Sequence, residues 1–115
     1  MKIFFILCCI FPALCLAESD VAVAIRAEVK GHLNDVKACY VSSLKQKPEN
    51  EGKIVVDWEV SETGEVTKAV INEAKSTLKD TAVHLCITEK FKTWKFPAAP
   101  KGQVVTVSYP FVFTK

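Results

Sequence analysis

The sequence predicts an α+β domain of order α-β-β-α-β, with two helices packed on one face of a three-stranded antiparallel sheet. Three patterns carry that prediction. Apolar residues recur at helical spacing through residues 20–46, alternate with polar ones over 53–61, and share one face again over 103–113. Gly, Pro and polar clusters separate these stretches.

The first helix, 20–46, can be capped by Ser19 or Asp20, whose side-chain oxygens accept from the free N–H groups of a first turn. Ile25, Val29, Leu33, Val36, Tyr40 and Leu44 then mark one apolar face, with Cys39 at its border. Gly31 is the weak point, costing about 1 kcal/mol relative to Ala. The helix ends before Pro48. In the first strand, Ile54, Val56, Trp58 and Val60 point one way, and Val55, Asp57, Glu59 and Ser61 point the other. Glu62-Thr63-Gly64-Glu65 is a turn in which Gly64 is free to take a positive φ. With a less regular strand over 66–74 it completes a hairpin.

Asp80 can cap the second helix, where Val83, Ile87, Phe91 and Trp94 lie at helical spacing beside Cys86. Pro97 and Pro100 end it. Val105, Val107, Tyr109, Phe111 and Phe113 form the inner face of the last strand. Because the second helix is a crossover, an antiparallel third strand cannot neighbour the second and must pair with the first, giving the order 2-1-3. Pro110 agrees, since proline belongs on an edge strand. Strand three is then a free edge, and Asp57 and Glu59 face water.

Residues 1–17 read as an export signal rather than as part of the fold. Lys2 supplies the positive charge, Ile3 to Leu16 is apolar apart from Pro12, and Cys15-Leu16-Ala17 places small residues at −3 and −1 of a cleavage site. The run is shorter than the about 20 apolar residues that cross a bilayer. No Leu-small-small triplet precedes Cys8, Cys9 or Cys15, as lipidation would require. Removing 17 residues from 115 leaves 98, one domain over 18–115. Lys2 is one of the 15 basic residues, so 14 remain against 13 acidic ones. That balance, with no basic stripe, gives no expectation of nucleic acid. No stable membrane anchor is expected either.

Three of the five cysteines fall in the signal, which leaves Cys39 and Cys86. An even count in an exported chain suggests a disulfide. Closing a loop of 47 residues stabilises a small fold by roughly 4 kcal/mol in the chain-entropy model. A redox pair would more commonly be spaced Cys-x-x-Cys. His84 and Cys86 are two positions apart on a helix and diverge, so they do not converge on a metal. There is no Gly-x-Ser-x-Gly, no His-Glu-x-x-His and no glycine-rich phosphate loop. The expectation is a non-enzymatic domain with no cofactor and no metal.

The sequence of His32, Val36, Cys39-Tyr40, Leu44, Pro48, Gly52-Lys53, Gly64, Val66, Asp80, Val83, Cys86-Ile87, Trp94, Phe96-Pro97 and Tyr109-Pro110-Phe111 resembles the AgmX/PglI C-terminal domain family, within the TonB C-terminal-like fold. It covers nearly all of the chain after the signal. The resemblance implies a Gram-negative envelope setting and association with motility or transport assemblies. TonB-type transducers carry a membrane anchor and a long Pro-rich spacer before this fold. Neither is expected here, so the resemblance extends to the fold and not to force transmission.

The best functional candidate is the free edge at Val104, Val105, Thr106, Val107 and Ser108. An extended segment of an envelope protein could add there as a further strand, as TonB-like domains allow. Pro110 should confine pairing to this upstream part. The alternative for the same residues is an edge merely protected by Pro110 and flanking lysines. In a second reading the chain is a secreted ligand-binding or inhibitor domain that uses Trp58, Trp94, Tyr109, Phe111 and Phe113, although all five lie on expected inward faces.

Overall fold

The computed structural model describes residues 20–115. The export-signal expectation for 1–17 lies outside them. The chain runs α1 (Asp20–Lys30), α2 (Leu33–Leu44), β1 (Gly52–Val60), β2 (Val66–Ile71), α3 (Thr81–Thr93) and β3 (Val105–Phe113). The three strands form one antiparallel sheet of order β2-β1-β3, the expected 2-1-3.

The first helical stretch differs from expectation in one respect. It is two helices, broken at Gly31-His32. There the N–H groups of Gly31 and His32 bond only three residues back, to Glu28 and Val29. Gly31 is the residue with the least helical preference in the stretch. His32 fixes the break by stacking on Trp94, with ring centroids 4.3 Å apart. The break lets one apolar periodicity serve two surfaces. α1 lies along β3, while α2 lies against α3.

The core sits between the helices and one sheet face. Ile54, Val56, Trp58 and Val60 of β1 are essentially inaccessible, as the alternation predicts. They pack with Ile25 and Val29 of α1, Val36 and Tyr40 of α2, and Val83, Ile87 and Phe91 of α3. Burying each such side chain stabilises the fold by about 1.5–3 kcal/mol before the entropy of ordering it is counted. The Trp94–Phe96 stretch closes one end of this core, and its backbone ties to the hairpin turn. Phe96 N–H donates to the Gly64 carbonyl at 2.9 Å. Gly64 has φ 83°, and a Cβ there would sit 2.4 Å from the Phe96 carbonyl oxygen, so both the turn and the close approach require glycine.

The opposite sheet face is less watery than its sequence suggests. Val55 is buried, and Asp57 is half-buried. β2 ends at Ile71, three residues earlier than expected, and the chain continues along β1 as an irregular edge. Val55 N–H donates to Ser76 Oγ at 2.9 Å, and the Lys53 carbonyl accepts from Thr77 and Leu78 N–H. The Asp57 carboxylate accepts from Asn72 Nδ2 at 3.1 Å and from Ser108 Oγ, so it bridges from the end of β2 to β3.

A disulfide joins Cys39 of α2 to Cys86 of α3, with Cα atoms 5.7 Å apart. A polar cluster fastens the same pair of helices. Asp80 caps α3 by accepting from Ala82 and Val83 N–H, and its other oxygen accepts from Asn50 Nδ2 at 3.0 Å and Lys47 Nζ at 3.2 Å. Burial pushes the Asp80 carboxyl up, but these hydrogen bonds and the Lys47 charge outweigh it and hold the carboxyl below its ordinary value. The Tyr40 hydroxyl donates to the Asn50 carbonyl at 2.6 Å, and burial, then the nearby Glu51 charge, raise its phenol above the ordinary value.

Candidate functional site

Among the described residues no strand pairs with the outer edge of β3, and hydrogen-bond parity settles which of its residues face outward. On β1, the Lys53 and Val55 carbonyls accept from chain on the β2 side. The odd-numbered residues of β1 therefore bond toward β2 and the even-numbered ones toward β3. Since Val56 pairs with Tyr109 and Trp58 with Val107, the odd-numbered residues of β3 bond inward to β1. Thr106, Ser108, Pro110 and Val112 face outward.

The candidate segment from Val104 to Ser108 thus divides. Val104 precedes the strand, which begins at Val105, two residues later than expected. Val105 and Val107 spend their main-chain groups on β1. Thr106 and Ser108 turn theirs to the edge, and their N–H groups have no acceptor among the described residues. One outward group is occupied. Arg26 Nε of α1 donates to the Ser108 carbonyl at 3.2 Å. Pro110, the next outward residue, has no N–H to offer.

Beyond this guarded stretch α2 stands away from β3 and leaves a groove of about 530 Å³. Its floor is Val36 and Tyr40 from α2 with Phe111 and Phe113 from β3, and the Tyr40 and Phe113 rings stack at 4.7 Å. Leu33, Asn34, Lys37, Tyr109, Pro110 and Val112 form its sides. Val112 is 71% exposed and Leu33 40%.

Sequence reasoning found the edge but missed both the Arg26 contact and the groove. Arg26 lies 82 residues from Ser108, and no local pattern links them. Periodicity alone places Leu33 on the apolar core face. The break at Gly31-His32 turns it toward the groove instead.

The aromatic residues named for ligand binding mostly serve the core. Trp58, Trp94, Phe111 and Phe113 are buried, and only Tyr109 is half-exposed. Trp58 packs against Phe91 with centroids 4.8 Å apart. His84 is held by the Leu78 carbonyl at 2.7 Å and by Glu73 at 3.3 Å, a clasp for the 72–80 segment. Among the described residues no group of three or more His, Cys, Asp or Glu side chains is placed to hold a metal, and no helix is long and apolar enough to cross a membrane.

No family model, curated protein or solved structure matches the chain.

Proposed function

We propose that this chain is an exported, non-enzymatic protein-binding domain of the cell envelope, which takes an extended segment of another envelope protein onto the outer edge of β3. The observation that carries the reading is the set of outward main-chain groups on β3 without a partner among the described residues, those of Thr106, the Ser108 N–H and those of Val112, the last beside a groove that can hold side chains. In this mode the edge supplies hydrogen bonds and the groove supplies selectivity. The signal-like residues 1–17, the Cys39–Cys86 disulfide and the resemblance to the AgmX/PglI C-terminal domain family support the envelope setting. A role as a soluble accessory of a motility or transport complex fits the same resemblance.

Proline substitutions test the edge directly, with peptides selected from a random library as the probe. Val107→Pro removes an inward N–H from the ladder to β1 and should cost about 3 kcal/mol or more, with loss of the folded circular dichroism signal. Thr106→Pro and Val112→Pro remove outward N–H groups only. Both should fold, and at least one should lose peptide binding. Normal binding by both folded variants would move the interface away from β3.

A further inference from the structure

We infer that the groove beside the downstream half of β3 receives the C-terminal end of an extended partner chain, with its terminal carboxylate meeting Lys37. This rests on the strand-addition reading of the same edge.

The edge carries two successive obstacles. Arg26 occupies the Ser108 carbonyl, and Pro110 lacks an N–H. A strand that runs across both leaves main-chain groups of its own without partners. A chain that stops short of them does not. Past Pro110 the edge reopens at Val112, whose N–H and carbonyl face outward beside the groove.

The groove is apolar along its floor, where Val36, Tyr40, Phe111 and Phe113 would take a partner's apolar side chain out of water. Its charge is the more specific feature. Among the described residues, Lys37 is the single charged one that lines it. Lys37 is exposed and has no ion pair among the described residues, whereas the neighbouring Asp35 meets His32 and Lys115 meets Glu49. One ammonium and no carboxylate among the described residues along a groove with an apolar floor complement one negative charge on an apolar segment. A free chain end provides that charge and has nothing further to thread past Pro110 and Arg26. Capture of a terminal carboxylate is a known way to recognise extended chains.

The test uses the disulfide-intact protein and two random heptapeptide libraries, one with free C-terminal carboxylates and one with C-terminal amides. Selected peptides are resynthesised with either end, and again with an N-methyl group in the main chain. Amidation should weaken binding at least about tenfold, the size of a lost charge-assisted contact. In Lys37→Met, whose fold is checked by circular dichroism, amidation should change binding by less than about twofold. Val112→Pro should abolish binding of the free-acid peptides, and Thr106→Pro should spare it. Amidated peptides that bind as well as free acids, or a Lys37→Met variant that keeps the preference for a free end, would overturn the proposal. So would selection of amidated peptides that depend on an internal Glu or Asp. If N-methylation abolishes binding while amidation does not, strand addition stands and the chain-end proposal fails. If N-methylated peptides bind unchanged, or neither library yields a binder, the strand-addition reading fails with it.

Discussion

Replacing Trp58 with Ala should lower the unfolding free energy by about 3–5 kcal/mol, read from the midpoint and slope of a urea titration. Trp58 is 1% exposed on the central strand, and its ring meets Phe91 at 4.8 Å and Phe96 at 5.8 Å. Truncation removes that packing and leaves a cavity that β1, bonded on both sides, has little freedom to close. The indole adds a second, opposite effect. Its Nε1 is buried with no acceptor among the described residues. A buried donor without a protein acceptor costs up to about 1–3 kcal/mol. Trp58→Phe removes that donor and keeps most of the ring contact, so it should cost under about 1.5 kcal/mol. Asp57→Ala, on the other face, should cost about 1 kcal/mol, because the carboxylate ties Asn72 to Ser108 across β1. Equal losses for Trp58→Ala and Asp57→Ala would place the wrong face of β1 in the core.

The second large effect belongs to the disulfide. Replacing both Cys39 and Cys86 with Ala should cost roughly 4 kcal/mol, because the bond closes a loop of 47 residues and confines the unfolded chain. The loss should match that seen on reducing the native protein. The polar cluster at Asp80 joins the same helices through Lys47 and Asn50, so the variant should retain its secondary structure while unfolding at lower denaturant. Under the proposed export, protein recovered from the envelope should begin at Glu18 and contain no free thiol. Two titratable thiols in that material, or equal stability with and without the bond, would contradict the role assigned to it.

How far the sequence reveals these features depends on the range of the forces involved. The strict alternation of Ile54, Val56, Trp58 and Val60 identifies the buried face, because a two-residue period has one interpretation on a half-covered sheet. Pro110 identifies the edge for an equally local reason. The helical period from Ile25 to Leu44 identifies the apolar face but not its division at Gly31-His32. A helix bent by a stacking partner at Trp94 keeps the same spacing as a straight one. Val55 and Asp57 look solvent-facing by alternation alone, yet Val55 is buried and Asp57 half-buried, and both bond to chain beyond Ile71 that carries no periodic signal. The site is legible in the same uneven way. Its open edge follows from connectivity, whereas Arg26 on Ser108 and the groove between α2 and β3 arise only when distant segments meet.

Residue-resolved amide exchange, measured with and without a selected peptide, tests the open edge most directly. In the free protein the N–H groups of Val107, Tyr109 and Phe111, which face β1, should exchange slowly, and those of Thr106, Ser108 and Val112 should exchange fast. Bound peptide should slow outward N–H groups of β3, Val112 foremost, and leave the inward set unchanged. Saturating peptide that leaves Thr106, Ser108 and Val112 all exchanging at their free rates would show that no strand is added at β3.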